Sequence, residues 1–438
     1  MPKNLLFLPT EKSDEPIFLH RKILKGKEEI KMNWDLEKDL ALIRAEFPIL
    51  ERCLYLISNS LGAVPREVQQ NLERFYQMWA KEGVSAWEKE WWDLSRKVGN
   101  QVASLIGAGE DEVTMIPHAT ACHWAALSTK FSAINKKRNK IIITDHDFPS
   151  TVYALSKISE SMGWKLDMVR SKGQPGIETD EILKRIDEKT LFIATSHVYF
   201  KSGYIQDIRQ IAARARQIGA LTLIDGYHAP GTIPVDVKEL DLDFYVGGCL
   251  KWLCGGPGNA FLYVRRELSK ELKPQLTGWF AHQSPFLFAQ KMEYAPGSYK
   301  FMSGTPPIPC LYAATPGLEI IKKIGISNIR KKSLSLTQSI INKAKERNFL
   351  VFTPERDALR AGAVSISLAH AFAVKQALEQ KGIKVDYRKG GEGEPDVIRI
   401  GPHFYNTKEE IDILFREIDV ISYSGEFRKF QPDFKKVT

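Results

Sequence analysis

The chain is expected to fold as an α/β protein, with a mainly parallel seven-stranded sheet held between helices and a smaller α/β unit behind it. Three observations lead there. Seven short apolar runs, VTMI at 113–116, IIIT at 141–144, LDMV at 166–169, LFIAT at 191–195, LTLID at 221–225, FYVGG at 244–248 and AFLYV at 260–264, are almost continuously hydrophobic instead of alternating. Helix-length segments separate most of them, the pattern of parallel strands buried on both faces. After Pro306-Pro307 the runs become shorter and more antiparallel in character. The expected organisation is therefore an extension at 1–33, a segment at 34–90 packing with the small domain, a large domain at 91–310 and a small domain at 311–438.

Residues 1–33 are charged and weakly periodic. From Trp34 to Leu50 the spacing of Leu36, Leu40, Ile43 and Phe47 suits an amphipathic helix, followed by a strand at CLYLI (53–57) and the turn Ser58-Asn59-Ser60-Leu61-Gly62. Polar residues that close a strand at a glycine turn can line a pocket, which marks Asn59 and Ser60. Helices are expected at Pro65–Trp79, with proline in the first turn, and at Trp87–Ile106, ending at Gly107. Trp87, Trp91 and Trp92 lie at helical spacing and either pack their helix on a neighbour or form an aromatic wall toward a substrate. Beyond Pro307, helices at 311–324 and 327–347 precede strands at 349–353 and 363–368, a helix at 369–381, the strand VIRIG at 397–401 and a helix at 407–420.

With 438 residues and 43% hydrophobic content, the chain can bury one large core and one smaller one. No uncharged apolar run is long enough for a membrane span and the first residues lack the apolar centre of a secretory signal, so a cytoplasmic enzyme is expected, with neither membrane nor nucleic acid as partner. The formal charge of +9 is spread along the chain, which suits an anionic cofactor or substrate better than a nucleic-acid backbone. Cys53, Cys122, Cys249, Cys254 and Cys310 are odd in number and contain no CxxC pair, and read as reduced thiols. No cluster supports a metal.

In parallel sheets ligands bind beyond the carboxyl ends of the strands, and the chemistry-bearing residues fall there: His118-Ala119-Thr120, Phe148-Pro149-Ser150-Thr151, Ser196-His197, Asp225 and Lys251. Lys251 taken alone is equally an ordinary strand-end lysine. Paired with Asp225 at the end of another buried strand, it matches the needs of pyridoxal 5'-phosphate (PLP). That cofactor uses an amine for its aldehyde and a buried carboxylate to keep its ring nitrogen protonated while it draws electrons from the substrate's Cα. Lys251 would hold the aldehyde and then move the Cα proton. Phe148, before a proline that fixes the chain direction, would stack on the ring. Ala119-Thr120 at a strand-to-helix turn would offer amides and a hydroxyl to the phosphate.

Asp225-x-x-His228, the later lysine and the turn GGPG together resemble the fold-type I, class V aminotransferase superfamily of PLP enzymes, and within it the kynureninases. The resemblance extends from about residue 50 to 415. It rests on SNSLG at 58–62, LIGAGEDEV at 105–113, FPS at 148–150, VYFKSG at 198–203, LKWLCGGPG at 250–258, GWFAH at 278–282, GTPPI at 304–308 and VIRIGPHFYNT at 397–407, in that order. It implies phosphate contacts at Ala119, Thr120, Trp279 and Thr305, the last two reaching in from the other subunit of a homodimer. It also implies stacking by Phe148, ring-nitrogen pairing by Asp225, cofactor contacts from Ser150 and His228, and the covalent link at Lys251. Arg399 matches the arginine that grips the substrate α-carboxylate, a role suited to its planar donor fork; read without the resemblance, it is a surface strand arginine.

Three positions depart from the kynureninase pattern. Leu250 stands where a tyrosine precedes the lysine, Thr151 replaces the aspartate of FPSD, and GVSAW at 83–87 lacks a histidine near the substrate ring. Cofactor binding survives these changes. The expected reaction is kynureninase-like cleavage of the Cβ–Cγ bond of L-kynurenine or 3-hydroxykynurenine to an anthranilate and L-alanine. Its rivals are another class V reaction, such as transamination, β-elimination or desulfuration, and a non-catalytic binding protein that has kept the fold.

Overall fold

The computed structural model describes residues 34–129, 138–391 and 393–430; the expected extension at 1–33 lies outside them. The seven apolar runs form strands β1 (Val113–Ile116), β2 (Lys140–Thr144), β3 (Lys165–Val169), β4 (Thr190–Ser196), β5 (Leu221–Asp225), β6 (Phe244–Gly248) and β7 (Ala260–Val264). They make one sheet in the order β1-β7-β6-β5-β4-β2-β3. Only β7 runs against the rest, antiparallel to both β1 and β6.

Both faces of this sheet are covered, which is why its strands are apolar throughout. Along β5, Leu221 and Leu223 pack on the side that holds Cys122, Ala126 and Phe192, while Ile224 packs on the other side with Val98, Val102 and Tyr245. Each such aliphatic side chain contributes about 1.5–3 kcal/mol by leaving water. Because side chains alternate along a strand, Asp225 follows Leu223 onto the first of these faces.

The helices that matter for the site are α1 (Glu67–Glu82), α2 (Trp92–Leu105), α3 (Ala119–Leu127) and α4 (Pro149–Met162), with α5 (Ile308–Ile324) packed against α1 and α2. Helix α4 begins with proline, whose missing N–H costs nothing in a first turn, and ends at Gly163 in the left-handed conformation. The helix expected from Trp34 to Leu50 is divided. A short helix spans Leu40–Ala45 and a 3-10 turn Pro48–Glu51, because proline cannot continue the hydrogen-bond ladder. The tryptophan-rich start of the next helix is a π-helical turn, Trp87–Trp91.

The C-terminal sheet contains β8 (Leu350–Val351), β9 (Val364–Ser367), β10 (Asp386–Arg388) and β11 (Val397–Ile400), ordered β10-β11-β9-β8 and antiparallel throughout. It packs on α6 (Ile326–Glu346), α7 (Ala371–Gln380) and α8 (Lys408–Ser424). Helix α8 opens with a capping box in which Thr407 and Glu410 satisfy each other's backbone amides. Residues 54–58 join this layer. Leu54–Tyr55 pairs in parallel with Ile383–Lys384, and the Ser58 amide donates to the Gly401 carbonyl at 3.1 Å. That attachment carries the SNSLG turn to the loop after β6. Among the described residues, no helix is long and apolar enough to cross a membrane.

Candidate active site

The lysine loop and the SNSLG turn meet closely. The Gly62 amide donates to the Leu250 carbonyl at 3.0 Å, and a side-chain carbon on Gly62 would run into the Lys251 carbonyl. Only glycine permits this approach. The Lys251 amine hydrogen-bonds His228 Nε2 at 2.6 Å and lies over the rings of Phe148 and Tyr227, 5.5 and 4.8 Å from their centroids. Burial, reinforced by the Arg399 guanidinium, lowers the Lys251 pKa to about 7, with Asp225 opposing. Burial and the Lys251 charge hold His228 well below the usual imidazole range, so it is neutral and accepts from the lysine amine.

Asp225 ends β5 in a buried position. Its carboxylate accepts hydrogen bonds from Thr151 Oγ1 and from the Tyr227 amide, both at 2.9 Å. Thr151 therefore orients the carboxylate from the first turn of α4. His123, one turn into α3, is buried with Nε2 unpartnered; burial lowers its pKa against the pull of Asp225.

Phe148 is placed by a device that sequence reading missed. Asp147, buried beside it, accepts from the amide and hydroxyl of Ser196 at 2.7 and 2.9 Å and from the Thr144 amide at 2.8 Å, so it ties the loop after β2 to the end of β4. Burial raises its pKa to about 6 in spite of these bonds. Phe148 then caps α4, half-exposed and edge-on to Phe200 at 5.2 Å. Ser150 follows in the first turn. Ala119 and Thr120 open α3 after the cap His118, whose Nδ1 accepts from the Ala121 amide at 3.1 Å. Intrahelical bonding starts at Ala121 and Cys122, so the two preceding amides are the helix-start donors expected at a phosphate site.

Arg399, in β11, is almost fully buried and not a surface arginine. It donates to the Phe200 carbonyl, to Ser60 Oγ at 3.1 Å and to Asp386, leaving Nε buried without a partner. Burial lowers its pKa to about 10, against the pull of Asp386. Asp386 also accepts from Ser60 Oγ at 2.7 Å and from Arg388 at 2.6 Å. Asn59 is fully buried, and both ends of its carboxamide lack a partner. Asp386 and Arg388 escaped sequence reading; they share one face of a three-residue strand that only its pairing with β11 defines.

Trp279 and Thr305 are exposed. Trp279 donates to the Pro285 carbonyl at 2.7 Å and stacks on Phe288 with ring planes 12° apart. Trp92 packs on Phe280 and Trp279, and Trp87 on Trp91 and Phe280, so the three tryptophans serve as helix packing and also join this surface cluster.

An amine of lowered pKa, a buried carboxylate, free helix-start amides and an orphaned buried amide and guanidinium nitrogen converge at the carboxyl ends of the interior strands of a mainly parallel sheet. These residues fit PLP, and fold and site together define a PLP-dependent enzyme of fold type I. The chain belongs to the class V aminotransferase family: the family model described as Aminotransferase class-V matches residues 54–414. It is 30% identical over 390 residues to a kynureninase of Pseudomonas fluorescens, covering 86% of this chain and 91% of that protein. It is 32% identical over 378 residues to the uncharacterized aminotransferase YcbU of Bacillus subtilis, covering 86% of this chain and 96% of that protein. In fold it is similar to an apo cysteine desulfurase from Thermococcus onnurineus, with a TM-score of 0.77 at 21% identity, covering 88% of this chain and 98% of that one. A C-DES mutant with glycine covalently linked to its PLP cofactor gives a TM-score of 0.76 at 20% identity, over 86% and 99% of the two chains.

Proposed function

We propose that the protein is a kynureninase-like hydrolase that cleaves the Cβ–Cγ bond of L-kynurenine or 3-hydroxykynurenine, with water, to an anthranilate and L-alanine. Bound PLP supplies a carbonyl for the substrate's amine and an electron sink for its Cα. Lys251 holds the cofactor at rest and then takes the Cα proton, for which an amine with a pKa near 7 is well matched at neutral pH. Asp225, oriented by Thr151, holds the proton on the ring nitrogen. Phe148 covers a ring face, while Ser150, His228 and the Ala119-Thr120 turn fix the cofactor's polar edges. Arg399, through its free Nε, and Asn59 receive the α-carboxylate, and Ser60 keeps Arg399 aligned.

The observation that supports this reading most is the convergence of the Lys251 amine and the buried Arg399 on one site in a chain similar to kynureninases over most of its length. The exposed aromatic patch around Trp279, with Phe286, Leu287 and Phe288 all more than half exposed, supports a homodimer in which Trp279 and Thr305 reach the partner's phosphate site. Incubation of PLP-loaded protein with each kynurenine, read by anthranilate fluorescence, tests the reaction; product from wild type and none from Lys251→Ala is expected. A second reading, transamination, is favoured by Leu250, which offers no hydroxyl beside the lysine, and by the similarity to YcbU. Keto-acid-dependent loss of the amino group without anthranilate would establish it instead.

A further inference from the structure

Tyr227 lies between the two residues that define the PLP motif, Asp225 and His228, and has no role in the reading above. Its amide is bonded to the Asp225 carboxylate, and its ring lies beneath the Lys251 amine, nearer to it than the Phe148 ring. The phenol is seated on the end of β6. A side-chain carbon on Gly248, three residues before Lys251, would stand 2.5 Å from Cε2 and Cζ of Tyr227 and 2.6 Å from its hydroxyl oxygen. The absence of a side chain at 248 is what makes room for the phenol.

The strand end on which the phenol sits, Gly248 of β6, belongs to a strand packed against α3, the helix whose start is assigned to the phosphate. Burial pushes the phenol's pKa up, so it remains an O–H donor at working pH. The next residue toward the lysine, Leu250, has no donor to give.

We propose that Tyr227 is a positioning residue of the PLP site, whose ring forms a second aromatic face at the Lys251 amine and whose hydroxyl donates to the cofactor phosphate in place of a donor at position 250. The proposal rests on the PLP assignment. Its test uses equilibrium binding to the full-length apoprotein, with PLP and with pyridoxal, which lacks the phosphate, followed by the visible absorbance band.

Tyr227→Phe keeps the ring and removes only the hydroxyl. PLP affinity is expected to fall roughly ten-fold or more, as for a lost hydrogen bond to a charged acceptor, while pyridoxal affinity changes less than about two-fold. Adding Leu250→Tyr to Tyr227→Phe should restore PLP affinity. Gly248→Ala, which displaces the phenol, should copy Tyr227→Phe. Unchanged PLP affinity in Tyr227→Phe overturns the proposal, and so does an equal loss for PLP and pyridoxal, which would leave only ring packing. Wild-type protein that forms no Lys251-dependent band would overturn the cofactor assignment itself, a result distinct from either.

Discussion

Replacing Lys251 with methionine should make the apoprotein more stable while abolishing its function. The buried amine has its pKa lowered from 10.5 to about 7, whereas in the unfolded chain it is fully charged at neutral pH. At about 1.4 kcal/mol per unit, the folded state at pH 7 bears a penalty of roughly 4–5 kcal/mol for this one side chain. Methionine, of similar length, removes the penalty but leaves His228 Nε2 without its donor, at a cost of about 1 kcal/mol. The net gain is about 3 kcal/mol. With an unfolding entropy near 2.1 cal/mol/K per residue, that raises the Tm of a chain this size by roughly 3–4 °C.

The sign with pH is fixed. A lysine whose folded pKa is depressed costs most below the folded value, and the cost disappears as pH rises toward the unfolded value. Calorimetry of cofactor-free wild type and Lys251→Met at pH 7, 8, 9 and 10 should therefore show the gap closing by about 1.4 kcal/mol per unit. A methionine variant no more stable than wild type at pH 7, or a gap that does not change up to pH 10, would refute this reasoning.

The rate at which apoprotein captures PLP should rise with pH through about 7 and then level off, because only the unprotonated amine attacks the aldehyde; stopped-flow absorbance checks this. Arg399→Lys should raise KM roughly ten-fold or more, because a single ammonium cannot hold Phe200, Ser60 and Asp386 and also offer the donor that Nε leaves free, with a smaller effect on kcat, in steady-state assays on the accepted amino acid. Lys251→Ala and Trp279→Ala should each be inactive alone and regain up to about a quarter of wild-type activity when subunits are mixed, since a shared site leaves one intact copy in the hybrid. Light scattering showing a monomer would dispose of that expectation.

Much of the site was legible because a parallel sheet concentrates its chemistry at strand ends. Each of the seven apolar runs became a strand, with Asp225 the last residue of one and Lys251 three residues beyond the end of another. The reversed direction of β7 was not legible, since AFLYV is as apolar as its parallel neighbours and burial on both faces hides direction. The Asp386–Arg388 strand was missed because three residues carry no period, and its identity comes from pairing with β11. Asp147 was missed for a related reason. Its partners, Thr144 and Ser196, are brought together only by the adjacency of β2 and β4, which no local pattern encodes. The helix expected at Trp34–Leu50 failed at Pro48, where the apolar spacing continued but the backbone could not.

Asp386 lies between Arg388 and Arg399, so two guanidiniums share one carboxylate in a buried corner beside Lys251. The corner is one negative charge short of neutrality. On the proposed reading an amino acid restores parity with its own carboxylate, whereas a simple amine enters and leaves the surplus charge uncompensated. The site thus screens for amino acids by charge balance before any side chain is inspected, and an Asp386→Asn enzyme would be expected to relax toward substrates bearing a second anion.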